Sequence, residues 1–181
     1  MSSFEEKFKR GYELLNDQDL DNSLEVAREL QKMNALSPEG YMLEGEILIK
    51  LDQWDRGIEH LTTAIEKDPE NGRLYNLRGY CYLNKEDLED ARENFEQAIQ
   101  LDNLPSGHRN LVLYMLLTES GSEAIQYLLG RIKADPGDVE NWILMGDLMK
   151  KGGHDEKARS YYEQALKMSP ENEYVQKQLE D

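Results

Sequence analysis

An all-α fold, a solenoid of stacked antiparallel helix pairs, is predicted by three observations in this sequence of 181 residues. Glycine stands at Gly11, Gly45 and Gly79, each 34 residues after the last, and returns at Gly146. An aromatic residue precedes three of these glycines by four positions (Tyr41, Tyr75, Trp142), and a small residue follows each by twelve (Ser23, Gly57, Ala91, Ala158). The segments between them carry apolar residues at helical spacing, broken by short polar turns such as Asn-Lys-Glu-Asp at 84–87. A period of this length means supersecondary units that cannot bury their apolar faces alone and therefore stack.

Glycine inside a helix costs about 1 kcal/mol relative to alanine, so its return in phase asks for a packing reason. The expected reason is close approach: Gly79 facing Ala91 of the same helix pair, and likewise for the other glycines. Around Gly79 the residues Tyr75, Tyr82, Ala91, Phe95 and Ala98 fall in a pattern that resembles the tetratricopeptide repeat, whose signature is an aromatic, Leu-Gly, Tyr, then Ala-x-x-x-Phe and Pro over a period of about 34 residues. Trp142, Gly146, Ala158, Tyr162, Ala165 and Pro170 repeat it near the C-terminus. The resemblance implies a right-handed superhelix and a protein-binding role.

In chain order, five units fit at 4–37, 38–71, 72–104, 105–138 and 139–172, followed by a short capping helix at 173–181 with Tyr174 and Val175 facing inward. Unit one is irregular, with Lys7 in the aromatic place and Ala27 in the large apolar place. Unit two closes at Pro69. Unit three is the fullest, with helices expected over Leu74–Asn84 and Leu88–Leu101, Arg78 in the leucine place and Asn103 in the proline place. Unit four has Val112 in the glycine place and Arg131 in the late-alanine place, but Ala124, Leu128 and Pro136 keep its second helix in phase, and Ser-x-x-Glu at 120–123 has capping-box spacing. Unit five ends its first helix at Lys-Lys-Gly-Gly, where glycine stops a helix.

Charge and composition then restrict the partners. Lys and Arg number 21 against 37 Asp and Glu, a formal net charge of −16, which repels phosphate backbones and anionic lipid. Neither nucleic acid nor a membrane surface is an expected partner. The longest apolar run, Leu111 to Leu117, is seven residues, against about 20 for a spanning helix. A lone cysteine, Cys81, and an N-terminal stretch without an apolar core point to the cytoplasm.

Catalytic chemistry has no foothold in the sequence. His60, His108 and His154 lie in different units without metal-ligand spacing, Cys81 falls on a core-facing helix position, and Lys-Gly-Gly-His at 151–154 lacks the frame of a phosphate loop. No enzyme activity, cofactor or metal is expected.

The resemblance further implies that the first helix of each unit lines a concave groove, through the second, fifth, ninth and twelfth places of the unit. The groove residues so assigned are Phe8, Tyr12, Met42, Glu46, Ile49, Arg73, Asn76, Tyr80, Leu83, Arg109, Leu113, Leu116 and Ile143. The Lys and Asn clamp by which part of this family grips chaperone C-termini is missing, since Phe8, Tyr12, Leu43, Arg73 and Leu77 hold its places. An adaptor or small chaperone is expected, taking an extended or helical protein or peptide segment with apolar anchors and some positive charge, with Tyr12, Met42, Tyr80 and Leu113 foremost. The alternative is a self-associating scaffold, a homo-oligomer built on the same face.

Overall fold

The computed structural model describes residues 3–118 and 121–180, and among them eleven helices and no strand. The helices are α1 Ser3–Asn16, α2 Leu20–Met33, α3 Glu39–Lys50, α4 Trp54–Lys67, α5 Gly72–Asn84, α6 Leu88–Asp102, α7 Pro105–Thr118, α8 Gly121–Ala134, α9 Val139–Lys151, α10 Asp155–Met168 and α11 Glu173–Glu180. The chain is an all-helical solenoid as expected. Helices α5 and α6 overrun their predicted limits by two residues and one, and α7 opens on Pro105, whose missing N–H is unneeded in a first turn. The Ser-x-x-Glu cap falls on Ser120, outside the described residues.

The chain divides into two compact units, Met1–Tyr114 and Met115–Asp181. In the first, α1 packs on α2, α3 on α4 and α5 on α6, with α2 also meeting α3 and α4 meeting α5. The first helices additionally touch one another, α1 with α3 and α3 with α5, so they form one continuous row. A core of Met42, Leu61, Ala64, Ile65, Leu74 and Cys81 fills α3 to α5, and a second of Leu15, Ala27, Leu30, Leu43 and Ile47 fills α1 to α3. Buried Glu44 is satisfied by Gln31, whose Nε2 donates to Oε2 at 2.7 Å. In the second compact unit α9 packs on α8 and α10, and α10 on α11. There Val175 is fully buried, but Tyr174 remains 48% exposed, so only one of the two expected inward residues lies inside.

The glycine expectation needs correction. A Cβ placed on Gly45 would lie 2.7 Å from Leu61, on Gly79 2.8 Å from Phe95 and on Gly146 2.5 Å from Tyr162. The neighbour is the large residue sixteen positions later, not the small one at twelve, so the glycine makes a recess for a bulky side chain of the second helix. Gly11 shows the rule by exception: its sixteenth neighbour is Ala27, and Leu43 of the next helix pair fills the recess instead. Small residues at twelve still lie against their glycines without filling the recess, a Cβ on Gly57 being 3.9 Å from the Gly45 carbonyl. Ser23 Oγ donates to the Gly11 carbonyl at 2.9 Å, and Gly57 leaves room for Cys81, whose Sγ would lie 3.1 Å from a Cβ there.

The turn inside four of the helix pairs is also built in one way. Gln18, Asp52, Glu86 and Gly153 all have positive φ, of 62°, 55°, 64° and 72°. At each, the next residue's N–H returns to a carbonyl five positions back: Asp19 to Leu14, Gln53 to Leu48, Asp87 to Tyr82 and His154 to Met149, at 2.9 to 3.0 Å. The positive-φ residue itself bonds three back, at 3.0 to 3.2 Å. This pair of bonds is the Schellman closure of a helix C-terminus, which normally recruits glycine.

Candidate partner-binding site

The row of α1, α3 and α5 brings three residues of the expected groove into one polar node. Tyr12 donates its hydroxyl to Glu46 Oε1, and Arg73 donates to the same oxygen at 2.7 Å. The guanidinium also lies 5.3 Å from the centre of the Tyr12 ring, a cation–π distance. Burial, reinforced by the Glu46 charge and hydrogen bond, pushes the Tyr12 phenol far above its ordinary range. Tyr12 is therefore a neutral donor holding a carboxylate in place. Phe8 meets it edge to face at 5.0 Å, and both rings rest on the core beneath.

Farther along the row, Asn76 is buried and fully engaged, donating to Ser106 Oγ at 3.2 Å and accepting from Asn110 Nδ2 at 2.9 Å. Beside it opens a pocket of about 510 Å³ lined by residues including Glu46, Ile49, Asp52, Trp54, Leu77, Tyr80 and Asn110. Trp54 and Tyr80 form its aromatic wall, with ring centres 6.1 Å apart and planes 72° to each other.

Four of the thirteen expected groove residues are not accessible. Met42, Leu83, Asn76 and Ile143 are only 5% to 7% exposed, because these places in the first helix turn toward neighbouring helices rather than outward. Met42 belongs to the core and is no anchor in this structure. Phe8, Tyr12, Glu46, Ile49, Tyr80 and Leu113 are half-buried on the first compact unit, and Arg73 and Arg109 are exposed there. Leu116, in the second, borders a smaller, mainly apolar pocket with Ile125, Leu148 and Met149. Trp54, Asp52 and Asn110 were missed by the sequence reading, which drew only from set places in the first helices. A bulky aromatic directly after the turn, as at Asp52-Gln53-Trp54, was the available signal.

Profiles described as tetratricopeptide repeat match residues 42–108 and 139–172, together more than half of the chain. The chain belongs to the tetratricopeptide repeat family. A solved tetratricopeptide repeat protein from Thermus thermophilus superposes with a TM-score of 0.77 at 17% identity, covering 98% of this chain and 97% of that one. A second, described as having an unusual peptide-binding site, superposes with a TM-score of 0.59 at 16% identity over 94% of this chain and 89% of that one. Among curated proteins, the general transcriptional corepressor ssn6 of Schizosaccharomyces pombe is 27% identical over 163 residues, which is 90% of this chain and 12% of that protein. This chain thus spans a small part of that relative's length. As a tetratricopeptide repeat protein it is a protein–protein interaction module, a class that is in general non-enzymatic. No described helix is long and apolar enough to cross a membrane, and no group of three or more potential metal-ligating residues occurs among the described residues.

Proposed function

We propose that the face formed by α1, α3, α5 and the start of α7 binds an extended or helical segment of a partner protein, so that the chain acts as an adaptor or small chaperone. The reading rests on one observation: the half-buried Ile49 and Tyr80 meet Trp54 around an open pocket on that face. Half-buried aromatic and aliphatic side chains beside an open recess are where hot-spot residues of a partner gain most. The single buried thiol agrees with a cytoplasmic setting. The test is selection of peptides from a random display library on the immobilised protein. Selected peptides should bind the Tyr80→Ala variant more weakly by about 1–3 kcal/mol, with a far smaller loss of Tm. Peptides indifferent to Tyr80→Ala would place the binding elsewhere. A concentration-dependent dimer by light scattering, abolished by the same substitution, would support the self-associating scaffold instead.

A further inference from the structure

We infer that the Trp54–Tyr80 pocket is a subsite for an arginine side chain of the partner segment; this deepens the proposed function and rests on it. The pocket holds polar groups that the fold leaves unused. Among the described residues, the indole N–H of Trp54, the hydroxyl of Tyr80 and the carboxylate of Asp52 have no hydrogen-bond or ion-pair partner. The other tryptophan differs: Trp142 Nε1 donates to the Pro136 carbonyl at 3.0 Å. Glu46 gives Oε1 to both Tyr12 and Arg73, so its Oε2 is also open. Lys50 is the cation among the described lining residues; it is exposed, and its long stem takes the ammonium to water.

Each class of occupant can be weighed against that lining. An apolar side chain would exclude water from Trp54, Tyr80 and Asp52 without replacing the lost hydrogen bonds. An acidic one would meet Asp52 and Glu46 inside a chain carrying −16 net charge. Arginine matches what remains. Its planar guanidinium stacks on an aromatic face, while its fork of N–H donors reaches a carboxylate and an amide or phenol oxygen together. Lysine supplies the charge as a point, without the plane or the fork.

The experiment titrates Nα-acetyl-arginine amide into the isotopically labelled protein and follows the two indole N–H signals by NMR. The equally capped lysine, citrulline and norleucine serve as comparisons. Arginine is expected to move the Trp54 signal saturably and leave Trp142 still. Citrulline, of the same shape without charge, should bind about three- to tenfold more weakly. Asp52→Asn should bring arginine down toward citrulline, and asparagine tolerates the positive φ of 55° at that position, so the turn is kept. Citrulline or norleucine moving Trp54 at the same concentrations as arginine would overturn the charge preference while leaving the groove in place. No analogue moving Trp54, with display-selected peptides still binding in a Tyr80-dependent way, would overturn the subsite alone. Failure of those peptides as well would remove the groove itself.

Discussion

Glu46 and Asp147 occupy the same place in their helix pairs, one residue after the recessed glycines Gly45 and Gly146, yet the surroundings of the two carboxylates differ. Glu46 takes one phenol and one guanidinium, from Tyr12 and Arg73, so its charge has a counter-charge and the three members of the node come from three successive first helices. Asp147 takes two phenols on one oxygen, from Tyr162 and Tyr174, each at 2.7 Å. The first node sits over an aliphatic recess filled by Leu61; in the second, the residue filling the recess, Tyr162, is itself a donor to the carboxylate. Packing and hydrogen bonding are therefore separable at Glu46 and joined at Asp147.

The largest effect should come from filling the recesses. Gly146→Ala drives a methyl against the Tyr162 ring and disturbs its bond to Asp147, whereas Gly45→Ala meets only Leu61. Both should lower stability by about 1–3 kcal/mol, with Gly146→Ala the costlier, as read by chemical denaturation. Equal losses would mean that the phenol adds nothing to the packing.

Next in size are the hydrogen bonds. Tyr162 is almost wholly buried, so Asp147→Ala should cost about 1–3 kcal/mol by removing the charged acceptor that its hydroxyl shares with Tyr174. Tyr174→Phe should cost well under 1 kcal/mol, because that ring is half in solvent. Thermal melts of the two variants decide whether burial governs the node, since the two bonds are equally long.

Alkaline pH should act on both nodes alike. Burial and the adjoining carboxylate raise the phenols of Tyr12 and Tyr162, so each stays protonated in the folded chain when its unfolded counterpart ionises. Their stabilisation is complete below the ordinary tyrosine range and is lost as pH rises above about 10. Melts from pH 8 to 11 should show Tm falling, and the double variant Tyr12→Phe, Tyr162→Phe should flatten that fall.

The smallest effect, and the one gain, concerns the turns. Gly153 fills a left-handed position that Gln18 and Glu86 fill with side chains that disfavour it. Glu86→Gly should relieve that conformation and raise stability by up to about 1 kcal/mol, less the entropy that glycine adds to the unfolded chain. A loss on this substitution would show that the side chain contributes contacts of its own.

The helix pairs were legible because glycine and the residues in phase with it mark a repeat period along the chain. The partners of the glycines were not, because sequence spacing shows which residues return but not which pair across an antiparallel contact; Ala91 and Phe95 were equally periodic candidates for Gly79. The turns were legible, as at 84–87, but their left-handed closure was not, because Gln18, Asp52 and Glu86 carry none of the glycine signal that this backbone shape attracts. In the site, Tyr12, Glu46 and Arg73 were placed on one face by their register, but their joining in one node depends on side-chain reach. Met42 and Ile143 were misread since a helix touching neighbours on two sides buries more of its surface than one amphipathic stripe suggests. Trp54 lay in a second helix, outside the places from which the groove was read.

The recess that Gly57 leaves for Cys81 also makes the chain convenient for spectroscopy. Burial pushes this thiol up to about 12, and its sulfur is enclosed between α4 and α5, so at neutral pH it reacts slowly with maleimides or disulfide reagents. A cysteine introduced at an exposed helix position would take a fluorophore or spin label selectively, with the native residue left in place. Pairs of such labels on the first helices would then report, as distances, whether a bound segment changes the spacing of the row that holds it.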